Sequence, residues 1–189
     1  MSIAARLLGA PWDYASVRRI EEKSGERFEF VEGQVFAMSG ASDAHIDLVA
    51  ELVFQLKAQL PRMGPCKVRA NDASVRVSDR DEYRYPDVGV YCDPKKGGPD
   101  GRLHLNPTVL VEVLSPSTRE VDLGAKLEEY LAIPSLETYI VIEQEARQVT
   151  FHTRTPTGWQ AQSFTEGTPE VPGIPARLDV DRLYEVIPL

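Results

Sequence analysis

The chain has 189 residues, of which 42% are hydrophobic and 26% charged, and its formal net charge is −8. That length suits one domain with a real core, and the composition is that of an ordinary soluble globular protein. No stretch approaches the ~20 apolar residues of a membrane span. The acidic balance argues against a protein that coats nucleic acid through a general positive surface. It leaves room for a local basic site, or for a cation that offsets the acids.

The first residues, MSIAARLLGAPWDY, hold one arginine and a short apolar patch without the longer apolar core of a secretory signal, so a cytoplasmic protein is expected. Cys66 and Cys92 stand alone, with no CxxC and no nearby histidine pair, and are expected to be free thiols in a reducing compartment. His45, His104 and His152 are too scattered for a recognisable zinc pattern.

Tyr14 to Lys23 suit a short helix, with Asp13 as N-cap and Gly25 near its end. ERFEFVEGQVFAMSG reads as a β-hairpin, with Phe28, Phe30, Val35 and Phe36 in strands around a Glu32-Gly33 turn. After the SGASDAH loop, Ser42 or Asp43 can cap a helix over roughly Ala44 to Leu60. Leu48, Val49, Leu52, Val53, Leu56 and Leu60 recur there at the helical period, and Pro61 and Gly64 end it. Lys67 to Val77 predicts a strand, SDRDEY a charged turn, and YPDVGVYCD a second strand opened by a proline. DPKKGGPDGRLHLNP is Gly/Pro-rich and predicts a mobile loop.

The stretch from Pro107 to Tyr130 is the most informative. Thr108 to Val111 are strand residues, Glu112 interrupts them, and Val113 and Leu114 resume the apolar run. An ionisable group in such a strand is costly unless it is paired or binds a metal. A Ser-Pro-Ser-Thr turn and an amphipathic helix follow, with Asp122, Lys126 and Tyr130 at a spacing of four on one face and Leu123, Leu127 and Leu131 as the neighbouring buried stripe. LETYIVIEQ is a further strand, EARQVTFHTRTPTGWQAQSF suggests two strands about a Thr-Pro-Thr-Gly turn, and ARLDVDRLYEVI a short helix capped by Asp179 or Asp181. The order implies an α+β or mixed α/β single domain over residues 1–189 rather than a regular βαβ alternation.

Asp87 opens one strand and Glu112 lies in the next, so adjacent strands could bring the two carboxylates together. Like charges repel, and a cation is their natural partner. Magnesium takes oxygen ligands and is commonly held by one or two carboxylates. A helix packed beside the Glu112 strand could carry Lys126 to the same place, to orient a water or stabilise phosphate charge. Blander roles stand beside these: Glu112 paired with a buried arginine, Asp87 as a turn residue, and Lys126 in an ordinary surface pair with Asp122.

Pro86-Asp87, Glu112 and a following lysine resemble the PD-(D/E)XK nuclease superfamily. RFEFVEGQVFAMSG with His45, YPDVGVY, VLVEVLSPSTREVDLGAKLEEY and LETYIVI resemble its branch of Uma-two-type putative restriction endonucleases of bacteria, over roughly Arg27 to Ile142. The resemblance implies a restriction-endonuclease-like mixed sheet flanked by helices, with an additional N-terminal hairpin and C-terminal strands. It also implies that Asp87 and Glu112 hold Mg²⁺ (or Mn²⁺), that Lys126 is the catalytic lysine, and that Glu29 is the family's N-terminal acid. His45 matches a family position of underived role. The superfamily usually places its lysine two residues after the acid; Leu114 stands there, so the lysine would come from the helix. Ile140 and Glu143 depart from the tryptophan and aspartate of many relatives. The implied function is Mg²⁺-dependent DNA hydrolysis, with a homodimer suited to cutting both strands. The competing readings are an inactive nuclease-fold binding or regulatory module and, more distantly, a phosphatase-like hydrolase.

Overall fold

A computed structural model describes residues 12–38, 40–115 and 119–188. Helix α1 (Tyr14–Ser24) starts at Asp13, whose carboxylate accepts from the Ser16 amide, and stops at Gly25, which takes a left-handed φ of 74°. Strands β1 (Phe28–Val31) and β2 (Gln34–Ala37) form the expected hairpin, with Glu32 and Gly33 both at positive φ as a two-residue turn requires. Helix α2 (Asp43–Gln59) is capped by Ser42 and buries Leu48, Val49, Leu52 and Leu56.

Ten further strands follow: β3 (Cys66–Ala70), β4 (Val75–Arg76), β5 (Tyr83–Arg84), β6 (Val88–Cys92), β7 (Lys96–Gly97), β8 (Leu103–His104), β9 (Val109–Leu114), β10 (Thr138–Glu143), β11 (Val149–Thr155) and β12 (Gly158–Phe164). Helices α3 (Arg119–Leu123) and α4 (Ala125–Leu131) lie between β9 and β10, and α5 (Val180–Glu185), capped by Asp179, closes the described chain. The fold is α+β with two mixed sheets. The central one runs β12-β11-β10-β9-β6-β3, with β9 and β10 parallel; the second runs β2-β1-β5-β4-β8-β7.

Alternation in β9 buries both faces of the central sheet. Val109, Val111 and Val113 join α2 and α5 in one core, while Leu110 and Leu114 pack with Tyr130, Leu136 and Tyr139 on the other side. Glu112 therefore projects with Leu110 and Leu114, toward α4. A third cluster, built on Tyr14, Val17, Phe28, Phe30, Tyr83 and Leu103, fastens α1 to the second sheet.

Several expectations change. The span 67–77 is two strands in two different sheets, separated by a turn in which Asn71 has φ 56° and donates its amide to the Asp87 carbonyl. The Gly/Pro-rich stretch after Asp93 holds the β7–β8 hairpin within the second sheet. The lysine helix is two helices meeting at Gly124, and its most buried face is the polar one: Asp122, Lys126 and Tyr130 are buried, Leu127 and Leu131 are half-buried against the core, and Leu123 is exposed. Most of the Ser-Pro-Ser-Thr turn lies outside the described residues, as does the apolar patch at the N-terminus. Cys66 and Cys92 are not free thiols but a disulfide, because antiparallel β3 and β6 set them directly opposite each other. Sequence separation hides such a cross-strand pair. No described helix is long and apolar enough to cross a membrane.

Candidate active site

The N-terminal end of β6 meets β9 on the side facing α4. Val88 pairs with Val111, so one further step of the register brings Asp87 abreast of Glu112. The Asp87 carboxylate is held at both oxygens. Oδ2 accepts from the Val113 backbone amide at 2.7 Å, and Oδ1 lies 3.1 Å from His45 Nε2 on α2. Burial presses the His45 imidazole toward its neutral form, but the bond to Asp87 outweighs it and raises the pKa above the usual histidine value.

Glu112 is buried and engaged from α4. Its Oε1 accepts from the Tyr130 hydroxyl at 2.9 Å and from Lys126 Nζ at 3.2 Å. Lys126 Nζ also stands 3.0 Å from Asp122 Oδ1 and 3.5 Å from Glu29 Oε1. The α4 helix can bury this lysine because three carboxylates surround it. Burial works against the ammonium, yet those carboxylates, Glu112 foremost, hold its pKa well above the usual lysine value. Glu112 responds oppositely. Burial lifts its carboxyl well above the usual range, Lys126 pulls it back only in part, and the carboxylates of Asp87, Asp122 and Glu29 reinforce the rise.

Glu29, on β1, sits under the lysine. Burial would raise its carboxyl, but Lys126 and Arg84 outweigh that and keep it below the ordinary value. Its Oε2 accepts from Arg84 Nη1 at 2.8 Å and its Oε1 from the Tyr85 amide at 3.2 Å. Arg84 turns its other edge to Glu129 of α4, donating Nε and Nη2 to the two carboxylate oxygens at 2.8 Å each. Sequence reasoning missed Arg84 and Glu129. The only available signal was their offset, Arg84 three residues before Asp87 and Glu129 three after Lys126.

The structure thus brings Asp87, Glu112, Lys126 and Glu29 together, with His45, Asp122 and Tyr130 touching them. All but Tyr130 line a cleft of about 990 Å³ whose other walls include Phe36, Met38, Ile46, Val53 and Val121. Among the described residues, no three of His, Cys, Asp or Glu cluster as a closed metal cage. The chemistry still suits a hard divalent cation. Two carboxylates stand abreast on a cleft wall, and Mg²⁺ binds through one or two carboxylates while keeping several waters. Among the described residues the cation paired with Glu112 is Lys126, which it shares with Asp122 and Glu29.

Residues 14–181 match the family described as Uma2, putative restriction endonuclease. Two uncharacterised proteins of Synechocystis sp. (strain ATCC 27184 / PCC 6803 / Kazusa) are related. One, slr1290, is 30% identical over 138 residues, covering 73% of this chain and 72% of its own. The other, sll1609, is 31% identical over 128 residues, covering 66% and 70%. Among solved structures, a putative nuclease of the DUF820 group from Anabaena variabilis ATCC 29413 superposes with a TM-score of 0.69 at 15% identity, over 85% of this chain and 91% of that one. That likeness establishes a shared fold with two mixed sheets and flanking helices. With the match spanning nearly the whole sequence, the chain belongs to the Uma2 family of putative restriction endonucleases.

Proposed function

We propose that this chain is a metal-dependent endonuclease that hydrolyses DNA phosphodiester bonds, with Asp87 and Glu112 holding Mg²⁺ or Mn²⁺ and Lys126 as the catalytic lysine. Family and fold support a nuclease-type function. The observation that carries the finer reading is the meeting of Glu112 of β9, Asp87 just before β6 and a buried, charged lysine on one cleft wall.

A cation held by Asp87 and Glu112 would supply polarisation of a phosphoryl oxygen and a lowered pKa for a nearby water. The residues of the chain do the remainder. The Val113 amide and His45 fix the Asp87 carboxylate, and the Tyr130 hydroxyl fixes Glu112. Lys126 keeps its proton and presents positive charge where the phosphoryl oxygens gather negative charge. Water adds to phosphorus, the P–O ester bond breaks, and the products are a phosphomonoester and a hydroxyl. Two copies of the chain would supply one such site for each strand of a duplex.

The test is incubation of the pure protein with supercoiled, linear and single-stranded DNA in Mg²⁺ or Mn²⁺. Cleavage by wild type that disappears with EDTA and in folded Glu112→Gln supports the reading. A folded wild type that cuts no DNA with either metal, or equal cutting by Glu112→Gln, refutes it. One observation favours the inactive-module alternative: the cations lining the cleft, Lys126 and Arg84, are already committed to carboxylates. Calorimetry that finds no metal affinity in wild type would select that alternative, whereas binding that Asp87→Ala or Glu112→Ala abolishes supports the nuclease reading.

A further inference from the structure

We propose that Arg84 is a positioning residue that fixes the lysine-bearing helix against the metal-binding strand end. This inference rests on the nuclease reading above. Arg84 ends β5, three residues before Asp87, and it is 4% exposed. Its guanidinium is a two-sided tie. One edge makes a bidentate pair with Glu129 of α4, and the remaining nitrogen, Nη1, bonds Glu29 of β1. Glu129 lies less than one turn beyond Lys126. Glu29 in turn uses its other oxygen to accept from the Tyr85 amide and to face Lys126 Nζ.

The tie therefore acts on the lysine from two directions. Through Glu129 it sets where α4 lies, and with it the reach of Nζ toward Glu112. Through Glu29 it sets how strongly the ammonium is drawn away from Glu112 and Asp122. With Arg84 in place, Glu29 has a second cation to satisfy it, and Nζ sits closer to Asp122 (3.0 Å) and Glu112 (3.2 Å) than to Glu29 (3.5 Å). Without Arg84, Glu29 is a buried carboxylate whose cationic partner is the lysine alone, and the ammonium shifts toward it. None of the Arg84 hydrogen bonds reaches Asp87 or Glu112, so the metal-holding pair is left intact. Lysine cannot replace this arginine, because one ammonium does not span a bidentate carboxylate and a second acceptor at once.

Three measurements on the full chain test the inference: Mn²⁺ affinity by calorimetry, kcat and KM for DNA cleavage, and rescue by free guanidinium. Arg84→Ala should bind Mn²⁺ within about threefold of wild type, while kcat falls on the order of 100-fold, the loss that a misplacement near 1 Å produces. KM should change little, millimolar guanidinium should restore part of kcat, and Arg84→Lys should not. Because Arg84→Ala removes a buried charge, Glu129→Gln is the milder companion. It keeps the bond to Glu29 and should lower kcat about tenfold with metal affinity unchanged, and the double variant should be no slower than Arg84→Ala. Wild-type kcat in folded Arg84→Ala overturns the inference alone, as does an equal loss of Mn²⁺ binding or full activity in Arg84→Lys. Absence of cleavage by wild type overturns the nuclease reading and this inference with it.

Discussion

Replacing Lys126 with methionine removes the ammonium and keeps most of the buried stem. Nζ contacts three carboxylates at 3.0, 3.2 and 3.5 Å, and its side chain is 10% exposed. Breaking a buried charge pair by deleting one partner costs about 3–5 kcal/mol. Glu29 keeps Arg84, so the uncompensated groups are Glu112 and Asp122, which places the loss near the lower end, about 3 kcal/mol at neutral to mildly alkaline pH. The sign of the pH dependence follows from Glu112. Its pKa in the folded protein is raised above the unfolded value, and without Lys126 it rises further. Stability from such a group is fully present below the unfolded pKa, ~4.3 for glutamate, and is lost as pH rises through the folded pKa. The deficit of the variant should accordingly be greatest at high pH and shrink on acidification as Glu112 takes a proton. Urea unfolding of metal-free protein in EDTA, followed by tryptophan fluorescence and circular dichroism, measures both effects. A loss below ~1 kcal/mol at pH 8, or one that grows as pH falls, would refute the reasoning, because the carboxylates would then not depend on the lysine.

Three further outcomes are expected. The Cys66–Cys92 bond closes a separation of 26 residues, so the Cys66→Ala/Cys92→Ala protein should be less stable by about 3–4 kcal/mol on chain-entropy grounds; two titratable thiols in native, unreduced protein would contradict it. Burial, then Lys96 and Arg69, lower the His104 pKa to about 4, so stability present above the unfolded value near 6.5 is lost as pH falls toward 4, by up to about 3 kcal/mol. His104→Phe, which can keep the ring contact with Tyr91, should flatten that part of the acid unfolding profile, and parallel profiles for the two proteins would count against the buried neutral imidazole. A Cβ at Gly124 would lie 2.8 Å from the Glu120 carbonyl oxygen, so Gly124→Ala should cost about 1–3 kcal/mol and lower DNA cleavage by parting α3 from α4; unchanged melting and unchanged cleavage would show that the two helices accommodate the methyl.

The legible parts of this chain were those governed by local rules. Asp13, Ser42 and Asp179 cap helices where short side chains can accept an amide, and the Glu32-Gly33 turn joins the hairpin strands as left-handed φ values demand. The acid at Glu112 was conspicuous because it broke an apolar strand. What stayed hidden required knowledge of neighbours distant in sequence. Val75 and Arg76 continue the pattern of Lys67 to Ala70, yet they pair with β5 and β8 in the other sheet. The buried stripe of the lysine helix was read from leucines, of which Leu127 and Leu131 do pack against the core, but the deeper face is that of Asp122, Lys126 and Tyr130, because β9 presents a carboxylate to it. Arg84 and Glu129 carried only the faint signal of their offsets from Asp87 and Lys126, and nothing in the sequence ties them to each other across 45 residues.

The wide separation of these partners has a consequence for how the protein is made. Arg84 reaches Glu29 across 55 residues, His45 reaches Asp87 across 42, and Tyr130 reaches Glu112 across 18. Each contact repays its loop-closure entropy only after the strands between have paired. A chain emerging from the ribosome therefore exposes Glu29, His45 and Asp87 well before Lys126 exists, and it holds no complete site until α4 docks on β9. The constellation is complete only once α4 has been made, so products truncated before it carry acids of the site without the lysine that organises them.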